Sequence, residues 1–280
     1  MNYSLESLRS ATAAAIAGKL AGKSERYRKL YRRKTASWLD DCFFAIVRRL
    51  NVRHFVECGA HDASASVRFI RGGGGKALAI EANPLTFARK TILASETEGV
   101  EVVNCGVGPE AGEAEFFIPR SDDTDGSASF LRKEGVEYKS ERIPVQTLDT
   151  LHASHFTIVE PTALWVDVEG LGLEVVRSGL KLLSHPNCWA IKIEVETKQF
   201  WSGQSLVSQL NDFLTGHGFV PVLRDIEYAG QYNIIFVRDV HAPSLDEELI
   251  QSWFRLGEVR LDWSEKLNVL TKDYRLRFKS

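Results

Sequence analysis

Cysteine is scarce in this chain, and it does not occur at the spacings that bind metals or build disulfide frameworks. The four cysteines, Cys42, Cys58, Cys105 and Cys188, lie far apart and form no CxxC pair. Because most of them fall in apolar, strand-like stretches, we expect buried, reduced thiols, as in a cytoplasmic protein. The seven histidines form no HxxxH or HxH cluster, so the sequence offers no zinc site.

Long hydrophobic runs and glycine-rich nucleotide fingerprints are also absent. No apolar stretch reaches the ~20 residues that span a bilayer, and the alanine-rich stretch 11–17 lacks the context of a signal-peptide cleavage site. The first predicted strand-to-helix turn has no GxGxxG, which argues against a nicotinamide-dependent oxidoreductase. The GGGGK tract at 72–76 follows a predicted helix and precedes Ala77 instead of Ser or Thr, so it does not fit a phosphate-binding loop.

Charge is nearly balanced overall but unevenly distributed. The net charge is −2, yet residues 1–34 carry nine Lys/Arg against two Glu, which leaves 26 basic and 35 acidic residues in the remainder. Such a basic arm could contact a membrane surface, nucleic acid or an acidic partner, although a solvated helix face is the commoner explanation. The acidic remainder carries no nucleic-acid-binding motif, so we expect no dedicated nucleic-acid binding and only a possible peripheral membrane contact through residues 1–34.

Short apolar runs alternate with helical patterns along most of the chain. A chain of 280 residues with 44% hydrophobic content can bury one large core. The alternation predicts an α/β fold whose sheet is mostly parallel, flanked by helices, and closed by an antiparallel C-terminal hairpin. The strands are predicted at 52–58, 76–81, 100–105, 163–168 and 188–195, the helices at 64–70, 84–95, 172–183 and 205–215, and the hairpin at 219–226 with 232–237.

The same pattern suggests how the chain is organised around one catalytic domain. Extended segments at 113–119 and 141–146 flank a polar, turn-rich stretch, 121–129, which we interpret as an excursion at the edge of the sheet. The predicted parts are a basic helical extension at 1–50, a catalytic domain at 51–240, and a helical or irregular C-terminal extension of the same domain at 241–280.

The first informative motif is FVECGAHDASAS, in which an apolar strand ends at Glu57 and Gly59 and leads into a helix. Ligands of doubly wound sheets bind at such strand ends. Gly59 would allow the backbone to approach a ligand closely. The alternative interpretation is purely structural, with Asp62 or Ser64 capping the following helix.

Two further strand ends carry polar residues. ALAIEANP delivers Glu81 to the edge of the sheet, where its carboxylate could accept both hydroxyls of a ribose; alternatively, Glu81 is an exposed residue before the helix that opens at Pro84. VVNCGVG places Asn104 and Cys105 at a third strand end, where they could contact an adenine ring, although a glycine turn is the simpler explanation.

The fourth motif, ALWVDVEG, ends a buried-looking strand with Asp167 and Glu169, just before Gly170. Burying two acids without partners is costly, so we expect them to face a cleft, where they could bind a cation or donor group or transfer a proton. Stabilisation of the next helix N-terminus is the alternative.

Together these motifs resemble the FkbM-type methyltransferase family, and the resemblance spans about residues 52–238. The matching residues occur in the family's order: Glu57, Gly59 and Ala60; Glu81, Asn83 and Pro84; Asn104; Ser127 and Ser129; TLDTL at 147–151; and Asp167, Val168, Glu169 and Gly170. The resemblance implies a class I methyltransferase sheet, S-adenosylmethionine as methyl donor, and a hydroxyl acceptor on a sugar, glycan or secondary metabolite.

We assign roles by combining the resemblance with the strand-end positions. Asp167 is the leading candidate for the general base, with Glu169 and His61 as alternatives and Glu194 as a neighbour. Asp167, Glu169 and Glu194 could instead hold magnesium, but we favour a site without a metal. The residues predicted to bind the cofactor are Glu57, Gly59, Ala60, His61, Glu81, Ala82, Asn83, Asn104, Cys105 and Asp167.

Three positions depart from the family pattern. Ala63 stands where Gly is frequent, Trp165 replaces a commonly basic residue, and Gly172 falls where an acidic residue is common. These changes leave a non-enzymatic, donor-binding module as an alternative function. Acceptor selection could involve the polar loops 121–129 and 198–204, which otherwise are ordinary surface loops.

Overall fold

A computed structural model of the chain describes residues 3–121, 126–157, 160–228, 230–259 and 261. Two of the predicted segments lie partly outside these residues. They are the loop 121–129, at positions 122–125, and the end of the C-terminal extension. Within the described ranges, no helix combines the length and the apolar character that crossing a bilayer requires.

Seven strands form one mixed sheet in the order β3-β2-β1-β7-β8-β10-β9. The first five of these are parallel to one another, whereas β10 is antiparallel to both β8 and β9. The prediction of a mostly parallel sheet is therefore confirmed. The strands of this sheet are β1 (His54–Cys58), β2 (Lys76–Ile80), β3 (Val100–Val103), β7 (Thr162–Val166), β8 (Cys188–Glu196), β9 (Phe219–Arg224) and β10 (Gln231–Arg238).

A second, three-stranded sheet lies between β3 and β7 in the sequence. Its order is β4-β6-β5, from β4 (Gly106–Val107), β5 (Gly112–Pro119) and β6 (Tyr138–Gln146). Strands β5 and β6 pair antiparallel, and Phe117 bridges to Ser129 in the segment that connects them. The predicted excursion is thus a small sheet of its own.

Ten α-helices are found in the described residues, and several are shorter than the sequence suggests. The predicted helix 84–95 divides at Thr91, and the predicted helix 172–183 divides at Gly179. The helices are α1 (Leu5–Ala15), α2 (Glu25–Arg49), α3 (Ser64–Arg71), α4 (Pro84–Lys90), α5 (Ile92–Ser95), α6 (Leu148–His155), α7 (Gly172–Ser178), α8 (Leu180–Ser184), α9 (Val207–Gly216) and α10 (Asp246–Glu258).

The N-terminal extension predicted as helical contains two helices, because the chain turns between α1 and α2. Gly18 and Gly22 adopt φ of +74° and +66° there, values that L-residues avoid. Ser24 then caps α2 by accepting a hydrogen bond from the backbone N–H of Tyr27. The N-terminal 50 residues are therefore two helices.

Alternate residues of the central strands face opposite sides of the sheet, and helices cover both sides. On one side, Phe55 of β1 packs with Phe43 and Phe44 of α2 and with Phe69 of α3. On the other side, Val56 and its counterparts on neighbouring strands belong to a cluster with residues of α6, α7 and α9. This two-sided cover explains why β1 is buried along its whole length and fixes where each strand ends.

Candidate active site

Two neighbouring clefts open where β1, β2 and β7 end. These strands are adjacent and parallel, so the loops that follow them meet at one edge of the sheet. The structure brings eight of the predicted residues to the first cleft: Gly59, His61, Glu81, Ala82, Asn83, Cys105, Asp167 and Glu169. The second cleft lies on the α2 side, shares Gly59, His61, Asp167 and Glu169 with the first, and adds Glu57 and Ala60.

Glu81 is the best-anchored carboxylate in the first cleft. Its Oε2 accepts a hydrogen bond from the backbone N–H of His61 at 2.6 Å, and its Oε1 accepts one from that of Asn83 at 2.7 Å. Burial raises the pKa of Glu81, while these two N–H groups oppose the rise. Since each carboxylate oxygen has a second lone pair, Glu81 can still accept two hydrogen bonds from a bound diol.

The loops around Glu81 are held by asparagines. Asn83 caps α4, because its Oδ1 accepts hydrogen bonds from the backbone N–H groups of Leu85 and Thr86. Asn104 donates from Nδ2 to the carbonyl oxygen of Glu81 at 2.7 Å. Asn104 is not among the residues that line either cleft, so the structure gives it a supporting place instead of the predicted direct contact.

Cys105 does lie in the wall of the first cleft, beside Val107 and Phe130. Its side chain is buried, and burial raises the pKa of its thiol to about 11. All four cysteines are unpaired, and all four are buried as expected. Cys105 therefore contributes a neutral, apolar surface to the cleft.

Glu57 is engaged differently from the prediction of direct ligand binding. Its Oε2 accepts hydrogen bonds from the backbone N–H of Ser66 at 2.8 Å and from the hydroxyl of Ser66 at 2.5 Å. Burial raises the pKa of Glu57 to about 8, and the bonds from Ser66 partly offset that rise. Glu57 therefore fastens the first turn of α3 to the end of β1, beside the second cleft.

Gly59 is required by a close approach within the protein. Its φ is +78°, and a Cβ built on it would lie 1.8 Å from the carbonyl oxygen of Asp167. The backbone N–H of Asp167 also donates to the carbonyl oxygen of Cys58 at 2.9 Å. The backbone that carries Asp167 therefore occupies the space beside the Cα of Gly59, while Gly59 also lines both clefts, so its contact with the cofactor stays a prediction.

The turn after Gly59 is strained. His61 and Ala63 have φ of +50° and +55°, in the left-handed region where residues with a Cβ are disfavoured. The frequent Gly at the position of Ala63 would relieve that strain. The imidazole Nε2 of His61 lies 2.9 Å from Nζ of Lys90, beside the first cleft. Strained backbone is common at functional sites, where surrounding contacts hold it in place.

Three carboxylates cluster beside these clefts. One oxygen each of Asp167, Glu169 and Glu194 can be chosen so that all lie within 4.8 Å of one another. Burial raises the pKa of Asp167, an effect that the nearby charge of Lys192 opposes. The pKa of Glu194 is raised further, by burial and then by the charges of Asp167 and Glu169, although Gln231 donates to its Oε2 at 2.8 Å.

This pattern separates the roles of two acids. Burial and the charges of Asp167 and Glu169 raise the pKa of Glu194 and favour its protonated form, whereas the nearby charge of Lys192 favours the ionised form of Asp167 and opposes the rise of its pKa. A hydrogen-bonded carboxylic acid beside a carboxylate can support proton transfer. The same three side chains are also the ones that could hold a hard cation such as Mg²⁺.

The segment 126–133 connects this cluster to the loop after β8. The hydroxyl of Ser129 donates to the carbonyl oxygen of Glu169 at 2.8 Å. The ammonium of Lys133 lies 3.9 Å from the ring centroid of the buried Trp201, in the loop predicted to border the site. The described part of the polar loop 121–129 therefore contacts the motif that contains Glu169.

Two departures from the family pattern have structural reasons. Trp165 packs on Phe43 and Phe44, and the buried ammonium of Lys192, its register partner on β8, lies 3.5 Å from the centre of its indole ring. A positive charge thus reaches this region from the neighbouring strand. A Cβ at Gly172 would lie 3.1 Å from Cδ1 of Ile193, so a longer side chain needs local movement.

Sequence reasoning missed Lys192 and Asp40. Lys192 bonds Asp40 at 3.2 Å and Asn233 at 3.1 Å, and Asp40 lines the second cleft from α2. The available signal for Lys192 was a single charge inside the apolar run CWAIKIEVE. Asp40 had no comparable signal, because an acidic residue within a basic, amphipathic helix predicts a side chain exposed to solvent.

Similarity to solved structures is widespread but distant. The magnesium protoporphyrin IX methyltransferase of Synechocystis PCC 6803 with bound SAM is 9% identical, with 82% of this chain and 90% of that chain covered and a TM-score of 0.43. The precorrin-6y C5,15-methyltransferase of Geobacter metallireducens GS-15 is 13% identical, with 71% and 88% covered and a TM-score of 0.41.

A third similar structure is the 1,6-didemethyltoxoflavin-N1-methyltransferase of Burkholderia thailandensis with bound 1,6-didemethyltoxoflavin and S-adenosylhomocysteine. It is 13% identical, with 85% of this chain and 92% of that chain covered and a TM-score of 0.38. No curated protein sequence matches the chain.

The family model named methyltransferase FkbM domain matches residues 57–221. The match runs from the end of β1 into β9 and includes Glu81, Asp167 and Glu194. The resemblance seen in the sequence motifs is thereby confirmed. The chain belongs to the FkbM family of S-adenosylmethionine-dependent methyltransferases.

Proposed function

We propose that this enzyme methylates a hydroxyl group of a sugar, a glycan or a secondary metabolite. The observation that carries the proposal is the position of Asp167, at the junction of the two clefts and in a cluster with Glu169 and Glu194. An alcohol is a poor nucleophile while it holds its proton, so a half-buried carboxylate at the proposed donor site would assist its methylation.

The residues of the first cleft fit the adenosine part of the donor. Glu81 offers a fixed carboxylate to the ribose hydroxyls, and Cys105, Val107 and Phe130 offer apolar surface to the base. His61, Ala82 and Asn83 complete the wall, while Glu57 and Asn104 hold the loops that form it. When bound, S-adenosylmethionine would supply a methyl group carried on a positively charged sulfur. That sulfur is the leaving group when an acceptor oxygen takes the methyl group.

The chain's own residues then orient the acceptor and move one proton. Asp167 would accept the proton of the acceptor hydroxyl, and burial together with the neighbouring carboxylates favours the protonated form of Glu194 beside it. Glu169 is tied to the 126–133 segment through Ser129 and borders the acceptor's approach. His61 remains an alternative base, although its ring nitrogen contacts Lys90. Enclosure by these segments limits attack by water.

The direct test identifies the acceptor and then removes the base. Extracts of the native host are incubated with labelled S-adenosylmethionine, and mass spectrometry identifies the product that gains a methyl group. With that acceptor, Asp167→Asn should lower kcat by ~10²–10⁴-fold while S-adenosylmethionine binds as before. Asp212→Asn, an exposed acid on α9, is the matched control. Full turnover by Asp167→Asn would rule out Asp167 as the base.

The same assay addresses the other classes of function. Release of S-adenosylhomocysteine only when an acceptor is present would exclude a non-enzymatic donor-binding module. A nicotinamide-dependent oxidoreductase should bind nicotinamide cofactors saturably, and we expect no such binding.

We further propose that residues 51–240 form the catalytic domain of a cytoplasmic protein and that 1–50 and 241–280 are extensions of it. In support, α1 contacts α10 and β9, and α2 contacts β10 and α10. The basic residues of 1–34 would then be available for a peripheral contact with an anionic membrane. Salt-sensitive co-sedimentation with phosphatidylserine vesicles, but not with phosphatidylcholine vesicles, is the expected result.

A further inference from the structure

The second cleft is built partly by a helix outside the segment that defines the family. The family match begins at Glu57, whereas α2 ends at Arg49 and contributes Asp40 and Phe44 to this cleft. The opposite wall comes from the strained turn after β1 and from Asp167. Helix α2 is therefore in a position to contact the part of a ligand that extends past Gly59 and His61.

The proposed donor position determines which part of the donor enters the second cleft. With the ribose on Glu81 and the base against Cys105, the amino-acid end points away from the base. Gly59 and His61 belong to the walls of both clefts, so the second cleft continues the first in that direction. An α-amino acid carries an ammonium and a carboxylate on one carbon and therefore needs an anionic and a cationic partner.

Asp40 is the acid that α2 contributes to the second cleft; the other acids there are Glu57, Asp62, Asp167 and Glu169, and Glu169 borders the acceptor's approach in the proposed function. Glu57 is bonded to Ser66, Asp62 accepts the N–H of Ser64 at 3.0 Å, and Asp167 is the proposed base. Arg68 supplies a cationic group at the same cleft, held by Asp41 at 2.6 Å.

The buried ammonium group of Lys192 contacts the carboxylate of Asp40. Nζ of Lys192 contacts Oδ1 of Asp40 at 3.2 Å and Oδ1 of Asn233 at 3.1 Å, and it lies 3.5 Å from the ring centre of Trp165. The side chain of Lys192 is 4% exposed, whereas that of Asp40 is 31% exposed. Burying a lysine is costly, and this one fixes a carboxylate that still faces the cleft.

We propose that Asp40 binds the α-ammonium group of the donor's amino-acid end and that Lys192 is the residue that positions Asp40. The inference rests on the proposed placement of the donor along the two clefts. It assigns a donor-binding role to α2, which lies outside the segment that the family model matches. It also gives a role to Trp165, which stands where a basic residue is common in the family. The indole ring of Trp165 packs against Lys192, its register partner on the neighbouring strand.

Two ligands separate this role from a general effect on the cleft. S-adenosylhomocysteine has the amino-acid end, whereas 5′-methylthioadenosine has the same base, ribose and sulfur without it. Isothermal titration calorimetry should show that Asp40→Asn weakens S-adenosylhomocysteine binding about 10- to 100-fold, as expected for losing one charge-assisted hydrogen bond. The affinity for 5′-methylthioadenosine should not change, and Asp212→Asn should resemble the parent with both ligands.

A double variant tests whether Asp40 only neutralises Lys192. Asp40→Asn with Lys192→Met removes both charges of the pair, so no unpaired ammonium remains where the single variant proves unstable. We expect the double variant to bind S-adenosylhomocysteine as weakly as Asp40→Asn does. Restoration of the parent affinity would show that Asp40 is structural and would overturn the proposal.

The remaining outcomes are equally decisive. Parent-like binding of S-adenosylhomocysteine by Asp40→Asn overturns the ammonium assignment, and so does an equal loss of affinity for both ligands. If the parent binds neither ligand, the donor placement itself fails, which is distinct from a failure at Asp40.

Discussion

The contact between Gly59 and Asp167 leads to a quantitative prediction. Real Cβ atoms essentially never approach other heavy atoms within 3.0 Å, and a Cβ on Gly59 would lie 1.8 Å from the carbonyl oxygen of Asp167. Gly59→Ala therefore forces the ends of β1 and β7 apart by at least the difference, 1.2 Å. Both atoms belong to backbone, so no side chain can rotate to relieve the contact.

Two energies add in this variant. An Ala in the left-handed region costs about 1–2 kcal/mol, and forcing packed backbone apart costs about 1–3 kcal/mol more. Gly18→Ala is a matched control, because Gly18 has a similar φ of +74° and nothing within 4 Å of its Cβ position. The control should show the first cost alone, so the two variants should differ by about 1–3 kcal/mol in their free energy of unfolding.

Urea denaturation followed by circular dichroism measures this difference, and calorimetry with S-adenosylhomocysteine measures its effect on the site. We expect Gly59→Ala to lose affinity, since Asp167 and the turn to His61 move together, and Gly18→Ala to bind as the parent does. Equal stability losses in the two variants would refute the argument that the contact with Asp167, and not backbone conformation, makes Gly59 necessary.

Four further predictions follow from the site. Glu81→Ala should weaken S-adenosylhomocysteine binding about 10-fold or more in calorimetry without unfolding the chain, and parent-like affinity would contradict the ribose assignment. Burial raises the pKa of Glu57 from 4.5 to about 8, so the contribution of Glu57 to stability is complete below pH 4.5 and is lost as pH rises through 8. Glu57→Gln should therefore flatten the decline in melting temperature across that pH window. Ser129→Ala should raise KM for the acceptor by freeing the 126–133 segment from Glu169, and an unchanged KM would remove that segment from acceptor binding. Exhaustive chelation should leave methyl transfer intact, since a proton on Glu194 can relieve the repulsion among the clustered acids; loss of activity that Mg²⁺ restores would assign the metal alternative.

Much of the architecture could be predicted because it is encoded in local patterns. Apolar runs separated by helical segments specify parallel strands, and the polar residues that follow each run must then collect at one edge of the sheet. Glu81 and Asp167 were located in this way. The ordered motifs also sufficed to recognise the family, since each occupies a fixed place relative to the strands.

Element boundaries were predicted less well. The helical pattern of residues 4–50 hides a turn, and the helix α6 (Leu148–His155) was not predicted at all, although the family motif TLDTL marks its start. Glycines with positive φ decide such turns, and periodicity alone does not reveal the φ of a residue.

By itself, the sequence determined the class of sheet and the family, and it predicted the edge of the sheet at which the clefts lie. Tertiary structure alone decided what each side chain at that edge does. Glu57 lies near the end of β1 and Glu81 directly after the parallel β2, yet one binds the start of α3 and the other lines the first cleft. Asp40 and Lys192 are 152 positions apart and meet through packing of α2 against the sheet. The reason is physical: periodicity specifies an element and its buried face, whereas the partner of a polar group depends on elements that are distant in the chain.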